Sequence, residues 1–146
     1  MRNRVKVMHG VNLDTLGRRD PDIYGSFTLT ELETRIRNWA YELGLEATFF
    51  QTNHEGDFCE ELHKLAGVAD AVILNAGAWT HYSYAIRDAL EVAGVPAVEV
   101  HISAVSERED WRRNSVFDGL VVEKIDGEKA DGYRRALEIL KGELST

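Results

Sequence analysis

Two short stretches of this chain combine residue types that can move protons. In "GRRDPDIYG", Gly17 to Gly25, Arg18 and Arg19 precede Tyr24 by five to six residues, with two aspartates around one proline. A free tyrosine ionises near about pH 10, so it is a base at neutral pH only where cations stabilise its phenolate. Arg18 and Arg19 are the candidates for that service. In "VEVHIS" the period of two puts Glu99, His101 and Ser103 on one face of a strand and Val98, Val100 and Ile102 on the other. Residues i and i+2 lie about 7 Å apart along a strand, close enough for a carboxylate to orient and charge an imidazole. An ionised Glu99 favours the imidazolium and makes His101 a general acid near neutral pH. The blander readings are a polar pair closing a strand and a solvated loop with ordinary charge pairs, and these residues alone leave both open.

Those side chains need a frame, and the rest of the chain supplies one. "VKVMHG", "EATFFQTN", "DAVILNAG", "VPAVEVHIS" and "DGLVVEKI" read as strands. Between them lie amphipathic helical segments. In the first, Leu29, Leu32, Ile36, Trp39 and Leu43 share a face, and Thr28 with Glu31 forms a capping box. "EGDFCEELHKLAG" and "THYSYAIRDALEVAG" follow, and "KADGYRRALEILKGEL" closes the chain, interrupted by Gly132. Strands separated by single helices predict an α/β fold: a flavodoxin-like, doubly wound, five-stranded parallel sheet with helices on both faces. Such sheets bind ligands beyond the carboxyl ends of their strands. Asn12, Asn53, His54, Asn75, Gly77, His101 and Ser103 all fall there. The segment of about residues 14–27 is too long for an ordinary connection and reads as a lid whose closure excludes water.

Two further segments belong to the same mouth. "LNAGAWTHYSYAIRDAL" is a small-residue turn leading into a helix with Thr80 near its start, where backbone N–H groups and Asn75 are suited to a carboxylate. His81 points the same way, whereas Arg87 and Asp88 read as an exposed helical face. In "SEREDWRRNS", Arg108, Arg112 and Arg113 recur at helical spacing, as guanidinium forks for an anionic or polyhydroxylated ligand or as a solvated helix.

Composition narrows the partners. The 146 residues, 44% hydrophobic, fit a single catalytic domain over 1–146. A net charge of -8 argues against nucleic acid and anionic membrane, so an anionic small molecule must meet locally clustered arginines. Cys59 is the only cysteine, reads as helix packing, and permits no intrachain disulfide. With no leader and no long apolar run, the expectation is a cytoplasmic protein. The histidines His9, His54, His63, His81 and His101 form no metal-binding pattern, and no nucleophile-elbow, P-loop or strand-linked dinucleotide motif is present. No metal and no cofactor are expected.

Taken in order, "HGVNLDTLGRRDPDIYG", "QTNHEG", "LNAGAWTHYSYAIRDAL", "VEVHIS" and "EREDWRRNS" resemble type II 3-dehydroquinate dehydratase from about Lys6 to Ser115. The resemblance implies a flavodoxin-like fold, trimers assembled into a twelve-subunit particle, no cofactor, and loss of water from 3-dehydroquinate to give 3-dehydroshikimate through an enolate. It makes Tyr24 the base that removes the C2 proton and Arg19 the lid cation that activates it. Asn12 positions a water at the enolate oxygen. His101, oriented by Glu99, protonates the departing C1 hydroxyl. Asn75, the Ile102 amide and Ser103 hold the substrate carboxylate, and His81 and Arg112 bind ring hydroxyls. Asp88 reaches the site from a neighbouring subunit, and Arg108 belongs to the lid region.

The chain departs from the family pattern in three places. "HGVN" replaces the usual N-G-P-N, so His9 and Val11 are expected to alter the floor beside Asn12. Ala104 replaces an asparagine and Ser106 a histidine. Beyond Ser115 the glycine-rich strand and turn becomes "EKIDGEKADGY", a segment expected to bear on packing or assembly and to lie away from the chemistry. Two alternatives follow: a divergent lyase or cyclase acting on another hydroxylated cyclic ketoacid, or a silent flavodoxin-like binding module that retains a carboxylate pocket.

Overall fold

A computed structural model describes residues 2–146. The chain order is β1 (Arg4–His9), α1 (Pro21–Tyr24), α2 (Leu29–Glu42), β2 (Glu46–Gln51), α3 (Glu55–His63), β3 (Ala71–Asn75), α4 (Tyr84–Ala93), β4 (Ala97–Val100), β5 (Glu123–Ile125) and α5 (Asp131–Leu144). All strand pairs are parallel, in the order β2-β1-β3-β4-β5. Chain order reverses at β1 and β3, so the crevice between their carboxyl ends is where a ligand is expected.

The strands are apolar on both faces because both are covered. On one side Val5, Val7, Ile73, Val98 and Val100 pack with Leu32 and Ile36 of α2 and Tyr133, Leu137 and Leu140 of α5. On the other, Met8, Val72, Leu74 and Ala97 pack with Phe58 and Leu62 of α3 and Ile86 and Leu90 of α4. Removing each of the large aliphatic side chains from water contributes about 1.5–3 kcal/mol, and this burial holds the strand ends in register. The capping box at the start of α2 is present in both directions, Glu31 N to Thr28 Oγ1 at 3.1 Å and Thr28 N to Glu31 Oε1 at 2.9 Å.

Several elements differ from their sequence reading. The helix expected from Thr80 begins at Tyr84, because Ser83 is its cap, accepting from Ile86 N at 3.2 Å. Residues Gly77–His81 form a 3-10 turn instead. The final strand is Glu123–Ile125 alone, since Val116 and Phe117 turn inward to the core before pairing begins. Gly132 does not interrupt α5: it lies buried in the first turn, where a Cβ would meet Ile125 and Val100 at 3.3 Å. The arginine segment is two separate 3-10 turns, Val105–Glu107 and Asp110–Arg112. The 14–27 segment is also ordered differently from an open loop. Leu16, Tyr24 and Phe27 are buried, and among the described residues no helix is long and apolar enough to cross a membrane.

At the opposite end of the sheet Arg4 joins β1 to the start of β3, with Nε and Nη2 on the two Asp70 oxygens at 3.2 Å. The Arg4 hydrogen bonds hold the Asp70 carboxyl down at about 2. A depressed carboxylate stabilises the fold above its unfolded value of about 3.9 and loses that contribution as pH falls through the folded value. Because the Arg4 side chain is 45% exposed, solvent screening leaves about 1 kcal/mol. Asp70→Asn is expected to lower the urea unfolding free energy by about this amount at pH 7, with the gap to the wild type closing between about pH 4 and pH 2.

Candidate active site

The carboxyl ends of β1, β3 and β4 open on a cavity of about 70 Å³. Its wall includes Asn12, Arg19, Tyr24, Asn75, His81, His101, Ile102, Ser103 and Arg112, all singled out in the sequence. Two glycines let the backbone close around it. A Cβ on Gly10 would sit 2.5 Å from the Ala76 carbonyl, and Gly77 has φ +63° with its Cβ position 2.7 Å from Val11 O. Side chains at either point would push the β1 and β3 loops apart.

Tyr24 ends α1, and the residues before it set its direction. Asp20 caps this short helix by accepting from Asp22 N at 3.0 Å, and Pro21 starts it with a preset φ. Arg19 Nη2 donates to Tyr24 Oη at 2.7 Å, with its guanidinium 3.8 Å from the ring centroid. The second cation is Arg108, whose Nη1 donates to the same oxygen at 2.6 Å and to Ser103 Oγ at 3.2 Å. It takes the place that the sequence reading gave to Arg18, which is exposed. Adjacency in sequence suggested Arg18, but neighbouring side chains in this turn diverge.

Across the cavity His101 Nε2 lies 2.5 Å from Glu99 Oε2, although β4 ends at Val100. The pairing persists one residue further through His101 N to Ile125 O at 2.8 Å, and this keeps the imidazole over the carboxylate. Both side chains are buried, and a buried carboxylate needs its lone pairs occupied. Ser115 Oγ, which the sequence did not suggest, donates to Glu99 Oε1 at 2.8 Å.

The remaining wall is polar and held in place. Asn75 Oδ1 accepts from Gly77 N at 3.1 Å while its Nδ2 donates to Tyr133 Oη at 3.3 Å, which fixes the amide's orientation. Burial pushes the Tyr133 phenol up, so it stays protonated. Burial likewise pushes the His81 imidazole down, against the Asn114 carbonyl at 2.5 Å from Nδ1, and nearby His101 and Arg112 add to the lowering. A neutral His81 therefore donates through Nδ1 and presents Nε2 as an acceptor. Arg112 stacks on Trp111 at 4.1 Å and is steadied by Glu109 at 2.9 Å, while Arg113 is exposed. Asn12 adopts φ 70°, with its N–H on Asn53 Oδ1 at 2.8 Å.

Three expectations need correction. Thr80 is fully buried within the Gly77–His81 turn and does not start the helix, which begins at Tyr84. His9 does not form part of the cavity floor. It is buried beneath, stacked on Phe49 and 3.2 Å from Glu33, and of the two altered residues only Val11 lines the cavity. The segment after Ser115 is not remote from the site. Besides Ser115 and Tyr133, Gly127 N donates to Ser103 O at 3.1 Å, and Asp126 Oδ2 accepts from Ser106 Oγ at 3.0 Å. A Cβ on Gly127 would crowd Ala104 at 3.1 Å, so the changed residues 104 and 106 meet Gly127 and Asp126 of that segment. Asp88 lies on an exposed face of α4 outside the cavity, and Glu99 and Arg108 stand behind the lining. Among the described residues no three His, Cys, Asp or Glu side chains converge as a metal site.

The arginine geometry has a direct consequence for the 14–27 segment. Arg108→Ala removes the long-range tether on Tyr24 and is expected to speed amide hydrogen exchange over α1 about tenfold, whereas Arg18→Ala leaves it unchanged.

Comparison with known proteins places this arrangement in a lineage. The family Dehydroquinase class II matches residues 3–141. The 3-dehydroquinate dehydratase of Syntrophotalea carbinolica is 49% identical over 135 residues, covering 92% of this chain and 91% of the relative. That of Thermotoga maritima is 47% identical over 141 residues, covering 97% and 96%. The crystal structure of type II dehydroquinase from Propionibacterium acnes superposes with a TM-score of 0.92 at 39% identity, covering 97% of this chain and 98% of that one. On the fold, the matched length and these identities, the chain belongs to the class II dehydroquinase family.

Proposed function

We propose that this chain is a cytoplasmic enzyme that dehydrates 3-dehydroquinate to 3-dehydroshikimate, in the shikimate route or in quinate breakdown. The observation that carries the reading is one cavity holding a phenol gripped by two guanidinium groups and an imidazole gripped by a carboxylate. Family membership supports the substrate.

In the first step Tyr24 Oη, as phenolate, takes the C2 proton, and the C2–H electrons move toward the C3 carbonyl to form an enolate. Arg19 and Arg108 are suited to this because their charge offsets that of the phenolate. A water held by Asn12 stabilises the enolate oxygen. In the second step the C3 carbonyl re-forms, the C1–C2 double bond forms and the C1–O bond breaks. His101 gives its proton to the leaving hydroxyl, so one water departs. Glu99 at 2.5 Å is the anionic partner an imidazolium needs. No cofactor takes part.

The substrate carboxylate is assigned to Asn75, the Ile102 amide and Ser103, and the ring hydroxyls to His81 and Arg112. Neutral His81 would accept a hydroxyl proton at Nε2. Asp88 is assigned to the site of a neighbouring subunit in a trimer-based assembly, up to a dodecamer. The support is its position on α4 between Tyr84 and Val92, which are 70% and 63% exposed and share its face.

Mixing the protein with 3-dehydroquinate should produce the absorbance of the conjugated enone, and a rate equal to the buffer blank would reject the proposal. Tyr24→Phe is expected to cut kcat by about a hundredfold or more while leaving substrate affinity within about threefold, because only the proton acceptor is lost. Turnover and affinity are separated by single-turnover kinetics and calorimetry.

A further inference from the structure

Glu99 has no solvent exposure, and its two oxygens have different partners. Oε2 meets His101 Nε2, and Oε1 accepts from Ser115 Oγ at 2.8 Å. The Ser115 oxygen itself accepts from Phe117 N at 3.1 Å, so its own proton is directed at Glu99. The segment is firmly seated: Phe117 is fully buried, and Val116 N donates to Thr80 O at 2.8 Å in the turn that carries His81. Ser115 thus forms part of a continuous chain from a backbone amide through hydroxyl and carboxylate to the imidazole.

We propose that Ser115 is a positioning residue for the elimination, its hydroxyl holding the Glu99 carboxylate in the orientation and ionised form that keeps His101 a proton donor. The proposal rests on the reading of His101 as the acid. Other charged groups near Glu99 are differently engaged. Lys124, its register partner on β5, has its ammonium 3.2 Å from Asp118. His81 stacks on His101 at 6.1 Å between ring centroids, and Arg112 is occupied by Glu109. Among the described residues Ser115 alone donates to Oε1. A hydrogen bond to a buried charge shifts an equilibrium by about ten- to a hundredfold. Without it the carboxylate relieves its missing donor by capturing the Nε2 proton, leaving a neutral pair with no imidazolium to protonate the leaving hydroxyl.

The test compares Ser115→Ala, Ser115→Cys and Ser115→Thr with the wild type, and includes His101→Ala as a control. The expected result for Ser115→Ala is a kcat about tenfold lower, KM within about twofold, and an alkaline limb of the kcat–pH profile moved down toward neutrality. The ¹⁵N resonances of His101 move from imidazolium toward neutral imidazole in the same variant. Ser115→Thr keeps the hydroxyl and restores the profile, and Ser115→Cys, nearly isosteric but a weak donor, falls between. If Ser115→Ala does not fold, the Cys and Thr variants carry the comparison alone. An unchanged profile and unchanged ¹⁵N shifts in the Ala or Cys variant, with His101→Ala inactive, would overturn the role of Ser115 and leave His101 as the acid. Loss of the profile in Ser115→Thr equal to that of the weak-donor variant would also overturn it. Wild-type turnover in His101→Ala would overturn both.

Discussion

A carboxylate with no access to water, at the end of a parallel strand, is the constraint around which this site is built. Leaving Glu99 unpaired in that position would cost several kcal/mol, so its surroundings must supply donors for both oxygens. His101 supplies one from the residue after the strand ends. The other comes from Ser115, and bringing Ser115 there requires the chain to turn inward after β4. Phe117 and Val116 secure that turn in the α3–α4 side of the core. The shortness of β5 follows, because Ser115 covers the carboxylate and Val116 and Phe117 enter the core before pairing begins at Glu123.

The opposite wall obeys a complementary rule. Two guanidinium groups converge on one phenol oxygen, at 2.7 and 2.6 Å, from positions 5 and 84 residues away in sequence. Both forks donate to the lone pairs of that one oxygen, an arrangement suited to negative charge there. Both arginines are held by contacts that do not involve substrate: Arg19 against the Tyr24 ring, Arg108 through Ser103 and Glu109. The donors are therefore in place without a ligand, as the proposed mechanism requires of them.

Much of this was legible because it is local. Period-two alternation placed Glu99 and His101 on one face, the capping box started α2 at Leu29, and the strand–helix alternation specified the doubly wound sheet. What was not legible depended on long-range closure. Arg18 and Arg19 are equivalent by spacing to Tyr24, and only the fold shows that Arg108 supplies the second fork. Ser115 and Tyr133 touch the site through residues 16 and 58 positions away, so no local pattern marks them. The helix after Asn75 was read as starting too early because Thr80 and Ser83 are both plausible caps, and only Ser83 has a hydroxyl that reaches an amide. The divergent tail looked detached from the chemistry because its contacts with residues 103, 104 and 106 are invisible in one dimension.

Proton removal at C2 by Tyr24 and protonation of the C1 hydroxyl by His101 are separate events in this account, and they can be separated by experiment. The direct measurement follows 3-dehydroquinate by proton NMR in heavy water with His101→Ala. The account predicts that the C2 proton exchanges for deuterium while 3-dehydroshikimate fails to accumulate. Product formation at the wild-type rate, or absence of C2 exchange in a folded variant that still binds substrate, would contradict it.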